Sequence, residues 1–164
     1  MDINLPFAFK ADISSLRSVH MFNDGLRNVL NEINSFEFEC QIHNNFFENN
    51  GPHWSGFRCF LMDRQDRSLY YLHIGLIFHP DTKKGIMVEL DKESNLNSYQ
   101  EIRDNIKKGE NFKVNKEEAD YLKLFLKEKK LENIDNSNKI DKQLSILRDF
   151  LKEALAAIIK GGRK

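Results

Sequence analysis

Between Phe36 and Asp91 the hydrophobic residues fall into short segments at every second position, and this period is the strongest constraint on the fold. Phe36, Phe38, Cys40 and Ile42 alternate with Glu37, Glu39, Gln41 and His43. Successive side chains of a strand point to opposite faces, so this spelling predicts a half-buried strand. Gly56–Asp63, Ser68–Phe78 and Gly85–Asp91 are three more short segments rich in aromatic and β-branched residues. The links RQDR and HPDTKK have hairpin length, which predicts a four-stranded antiparallel meander. Asn44–Ser55 (NNFFENNGPHWS) carries turn formers and reads as a loop, with Phe46, Phe47 and Trp54 as unusual aromatic passengers.

The flanks follow the helical period. Leu16, Val19, Phe22, Leu26, Val29, Leu30 and Ile33 predict an amphipathic helix over 14–35, preceded by an arm over 1–11. A helix is expected near Ser98–Lys108. A second, capped by Asn115 with Glu118 in the capping-box position, would carry Ala119, Leu122, Phe125 and Leu126. A third, over 140–160, would end at Gly161 and Gly162 and leave a fraying basic tail over 161–164. The expected architecture is a single α+β domain in two layers: one helix, four strands, three C-terminal helices.

At 164 residues the chain suits one core. Its longest apolar runs, Ile74–Phe78 and Ala154–Ile159, are too short to span a bilayer, and its first residues have no leader character, so a cytosolic protein without membrane partners is expected. Frequent Asn, Lys and Ile point to an AT-rich genome of low-GC bacterial or phage origin. Net charge is zero, with residues 1–94 holding 9 Lys+Arg against 13 Asp+Glu and the remainder 16 against 12. Nucleic-acid binding, driven by phosphate neutralisation, is thus only weakly supported.

No cofactor or metal motif is legible. Cys40 and Cys59 lack zinc spacing and read as buried thiols. Pro80-Asp81 followed by Glu89-Leu90-Asp91-Lys92 brushes against a metal-dependent nuclease motif. However, Lys92 falls one residue late, and Asp81 would sit in a turn ~13 Å from Glu89, too far to share a Mg²⁺. His73 and His79 are six residues apart and cannot share a metal. Ser55–Arg67 has aromatics and arginines, but not the spacing of an RNA-recognition strand.

Matching apolar faces predicts the registers. Leu61 would face Tyr70, Cys59 Leu72, Phe60 Tyr71 and Arg58 His73, through a two-residue Gln65-Asp66 turn. In the next hairpin Phe78 would face Ile86, Leu76 Val88 and Ile74 Leu90. The second register sets His73 across from Asp91 and Gly75 across from Glu89. A row Arg58–His73–Asp91 results, with Glu89 alongside. Read as chemistry, His73 is a general base oriented by Asp91, in a hydrolytic or nucleic-acid-acting enzyme. Read as structure, the row is a cross-strand charge network, which the absence of a nucleophile favours. Phe60, Tyr71, Arg58, Met87 and Trp54 are then the residues to contact a protein partner, as in an inhibitor, immunity or anti-defence protein. The stripe on the last helix would also serve a homodimer seam, although internal packing accounts for it.

Overall fold

A computed structural model describes residues 21–46, 54–77, 85–92, 98–137 and 139–163. The predicted arm, residues 47–53 of the aromatic loop expected over 44–55, Phe78, His79, the Pro80-Asp81 turn and Lys164 lie outside them, while 44–46 and 54–55, expected in that loop, belong to strands because they pair across the sheet. The chain is α+β. Helix α1 covers 21–32 in the described range and precedes β1 (Phe38–Phe46), β2 (Trp54–Asp63), β3 (Leu69–Ile77) and β4 (Gly85–Asp91). Helix α2 (Tyr99–Asn105), strands β5 (Phe112–Asn115) and β6 (Tyr121–Leu126), and helices α3 (Glu128–Asp135) and α4 (Ile140–Gly162) complete it.

The sheet has six antiparallel strands in the order β1-β2-β3-β4-β6-β5, not four. The two added strands replace the helix expected after Asn115. In YLKLFL, Leu122, Leu124 and Leu126 are buried while Tyr121, Lys123 and Phe125 are only partly covered, a period of two. The same leucines and phenylalanine also fit a helical stripe, and so short a segment is decided by its neighbours. Here β4 offers an open edge, and β6 pairs along it from Met87↔Phe125 to Asp91↔Tyr121. Asn115 turns the chain without capping a helix: its Oδ1 accepts the Glu117 N–H at 2.8 Å. Helix α2 holds the loop that follows, with Arg103 donating to the Glu118 and Lys116 carbonyls and the Tyr99 hydroxyl to that of Ala119.

Helices cover one face of the sheet. The core joins Leu26, Val29, Leu30 and Ile33 of α1 to the inner-face residues Phe57, Cys59, Leu61, Tyr70, Leu72, Ile74, Ile86, Val88 and Leu90, and to Leu147, Phe150, Leu151, Leu155 and Ile158 of α4. This internal packing uses the stripe on the last helix that would otherwise suit a dimer seam. Cys40 and Cys59 are buried free thiols on the same face. Among the described residues no helix is long and apolar enough to cross a membrane.

Helix α4 runs to Gly162, past the stop expected at Gly161. Helix α4 continues through both glycines because each meets a close neighbour. Ile102 Cα would lie 3.3 Å from a Cβ on Gly161, and a Cβ on Gly162 would strike the Tyr70 hydroxyl. Arg163 then reaches the fully buried Asp63 at the end of β2, with Nε donating to Oδ2 at 2.7 Å and Nη2 to Oδ1 at 2.9 Å. Asp63 Oδ1 also accepts the Gln65 N–H, at 2.7 Å. The β2–β3 link is wider than a two-residue turn: Arg67 N donates to Asp63 O, with Arg67 at φ 64°.

Strand β1 is one sheet edge, and its described amides are partly shielded. Cys40 N donates to Asn34 Oδ1 at 2.8 Å and Phe38 N to Ser35 Oγ at 3.3 Å. A bulge between Ile42 and Asn44 interrupts the remainder. These devices discourage the pairing of further strands onto an edge.

Candidate functional site

On the outer face the β2–β3 register is the predicted one: Arg58 faces His73, Phe60 faces Tyr71 and Met62 faces Leu69. The β3–β4 register is shifted by two residues from expectation, to Leu72↔Leu90, Ile74↔Val88 and Leu76↔Ile86. A two-residue slip keeps every side chain on its face, so the apolar pattern alone does not discriminate between the two. The observed one places Glu89, not Asp91, opposite His73, and Gly75 opposite Met87. The row expected as Arg58–His73–Asp91 is therefore Arg58–His73–Glu89.

That row continues into β6, where Glu89 pairs with Lys123. Arg58 Nε donates to His73 Nε2 at 3.1 Å, and His73 Nδ1 lies 2.9 Å from Glu89 Oε1. Lys123 Nζ is 3.6 Å from Glu89 Oε2 and 2.6 Å from Glu118 Oε1. A guanidinium can only donate, so Nε2 must accept and the proton of the neutral ring sits on Nδ1, facing Glu89. The side chains of Glu89 and Lys123 are 12% and 14% exposed, so their contacts are shielded from bulk water. Lys123 escapes sequence reasoning because its segment reads as a helix; read as a strand, YLKLFL puts this lysine alone between two aromatics on the outer face.

The next row is aromatic. Phe60 and Tyr71 pack edge to face with ring centroids 4.8 Å apart, and His43 approaches Phe60 at 4.4 Å. With Arg58, His73 and Asp91 these rings line a concavity of about 400 Å³, with Cys59 and Leu72 beneath. Tyr71 is 47% exposed and Leu69 39%, so the rim meets solvent. Asp91, displaced from the ladder, pairs in register with Tyr121. The Tyr121 phenol is pushed above its ordinary value by Asp91 first, then by burial, Glu89, Asp120 and Glu118.

The remaining partner candidates separate. Met87 is 2% exposed and so is not part of an accessible surface, a correction to its expected role. Phe125 lies opposite it on β6, and Gly75 on β3. Trp54 begins β2 opposite Ile77, its side chain outside the described residues.

Chemically, the ladder holds its histidine by both ring nitrogens. The two cysteines belong to the opposite, buried face. The Cys59 thiol is raised well above its ordinary value by its hydrogen bond with Cys40 first, then by burial, a setting that suppresses the nucleophilic thiolate. Among the described residues no group of three or more His, Cys, Asp or Glu is placed to hold a metal ion. No known protein family, curated protein or solved structure matches the chain.

Proposed function

We propose that the outer sheet face is a protein-docking surface and that the chain works as a non-catalytic binding module, of the inhibitor or immunity kind. The observation that carries this reading is the contiguous apolar strip Met62–Leu69 and Phe60–Tyr71 across β2 and β3, with Tyr71 and Leu69 exposed beside a concavity. Aromatic residues on a rigid scaffold supply large contact area at small entropic cost, and they dominate binding energy when a partner dehydrates them. The charged ladder beside the strip ties neighbouring strands together through Arg58, His73, Glu89 and Lys123 and so keeps the strip's scaffold in register.

Charge balance separates this partner from a nucleic acid. Among the described residues, Arg58, Arg64, Lys92, Lys113 and Lys123 on and around the face are matched by Glu39, Glu89, Asp91, Glu118 and Asp120, which does not favour phosphate binding. The hydrolytic alternative needs His73 to take a substrate proton on Nε2, and that atom already accepts from Arg58.

The test is capture of partners from the native host with wild-type and variant protein. Phe60→Ala with Tyr71→Ala is expected to weaken a stoichiometric partner by tenfold or more, the scale of aromatic anchors, while His73→Ala changes affinity less than threefold. Degradation of RNA, DNA or peptide by the purified chain, abolished by His73→Ala, would overturn the reading.

A further inference from the structure

An imidazole that accepts at one nitrogen and donates at the other can do so only while it is neutral. His73 is such a ring. Its Nε2 accepts from Arg58 Nε at 3.1 Å, and its Nδ1 lies 2.9 Å from Glu89 Oε1. A guanidinium has donors only, and an imidazolium has a donor on each ring nitrogen. A charged ring therefore offers Arg58 no acceptor. Turning it over restores none, because both nitrogens then carry hydrogen. The carboxylate of Glu89 accepts from the ring in either state.

The surrounding charges divide in the same way. Among the described residues Arg58 faces the ring from β2 and Glu89 from β4, with Asp91 of β4 lining the same concavity. Lys123 of β6 reaches the ring through Glu89, whose Oε2 lies 3.6 Å from Nζ, and it also holds Glu118. His43 of β1 lines the concavity and packs on Phe60, and Tyr71 lines it from the strand of His73. Proton uptake at His73 sets two cations against each other at the Arg58 contact. On the other side it turns the Glu89 contact into a charge-assisted hydrogen bond. The His73 side chain is 22% exposed beside the concavity, so water can deliver the proton.

We propose that the Arg58–His73 contact is a proton-operated switch. A proton from solvent binds His73 Nε2, the hydrogen bond from Arg58 breaks, the ring stays on Glu89, and the guanidinium shifts within the lining of the concavity. The switch is a property of the sheet face itself and stands or falls independently of the docking reading.

The test is a pH titration of ¹⁵N-labelled protein from about pH 8 to about pH 5, the span in which imidazoles change charge. At the upper end a scalar coupling across Arg58 Nε–H and His73 Nε2 is expected. It should be lost with the midpoint at which the His73 ring nitrogens become equivalent to those of an imidazolium. The Phe60 and Tyr71 amides should shift with that same midpoint. His73→Gln keeps an acceptor for Arg58 and cannot titrate, so it should abolish the shared response. His43→Gln removes the other imidazole of the concavity and should leave the response in place. Four results overturn the inference: no coupling at the upper end, a coupling that survives on an imidazolium, a His73 ring that stays neutral throughout, or Phe60 and Tyr71 shifts that persist in His73→Gln or vanish in His43→Gln. The coupling is read in the wild-type chain, so a variant that fails to fold leaves the decisive measurement intact.

Discussion

Replacing Arg163 by methionine tests whether the end of the chain is a structural lock. Methionine keeps an unbranched apolar stem and removes the charge and both donors. Asp63 is fully buried and would retain the Gln65 N–H, having lost two charge-assisted hydrogen bonds of 2.7 and 2.9 Å. Removing one partner of a buried pair costs ~3–5 kcal/mol because the other charge stays desolvated. Arg163 is 29% exposed and sits near the terminus, where holding a long side chain costs entropy, so a discounted ~2–3 kcal/mol is expected at neutral pH. That corresponds to a midpoint lowered by about 2–4 °C per kcal/mol for a chain of this size. Urea titration followed by circular dichroism measures it, with Asp63→Asn and the double variant closing a cycle whose coupling should exceed ~1 kcal/mol. The pH dependence supplies a sign. Arg163 is the main cause holding the Asp63 carboxyl below its ordinary value, while burial opposes it. A depressed folded-state pKa stabilises the protein above the unfolded value near ~4, and that contribution is lost as pH falls through the folded one. The gap between wild type and Arg163→Met should therefore be full at pH 7 and close in acid. A gap below ~0.5 kcal/mol at pH 7, or one that persists unchanged at pH 2, refutes the reasoning.

Other expectations follow from the sheet. Neutral His73 should show the Nδ1–H tautomer in long-range ¹H–¹⁵N spectra, since Arg58 donates to Nε2; an Nε2–H signature would break the ladder assignment. Glu89→Ala should cost ~1–2 kcal/mol in urea titration, because it strips contacts from both His73 and Lys123. A Cβ at Gly56 would collide with the Ile74 carbonyl oxygen and lie 2.6 Å from Gly75 Cα, so Gly56→Ala should cost ~3 kcal/mol or more, or prevent folding; a wild-type-like urea midpoint would contradict this close strand approach. Cys40 and Cys59 should resist a thiol reagent at pH 8 in native protein and react fully in denaturant; rapid native labelling would contradict their burial.

The sheet core and its first hairpin were legible for a definite reason. From Cys59 to Leu72 one parity places Cys59, Leu61, Tyr70 and Leu72 together in the core, and the short link between the strands limits slippage, so Arg58 opposite His73 follows from spelling. The β3–β4 pairing was less legible. Ile74 and Leu76 find aliphatic partners in either of two registers two residues apart, and nothing in that pattern ranks Glu89 above Asp91 as the neighbour of His73. The ionic match decides in favour of Glu89, which sits between His73 and a lysine whose strand was not foreseen. Met87 illustrates the converse: its outward parity suggested access, whereas accessibility depends on the neighbours that cover it.

By itself the sequence determined the helix-then-sheet order, the inward face of each central strand and the long final helix, because these are set by local period and by the demand that apolar surface leave water. Tertiary structure alone decided three things. Residues 121–126 became a strand because β4 presented an unpaired edge at which their backbone groups could bond. Gly161 and Gly162 became packing contacts because Ile102 and Tyr70 stand close against them. Arg163 became an anchor because Asp63, a hundred residues earlier, is buried within its reach. Each depends on a partner distant in the chain, and local periodicity carries no information about such partners.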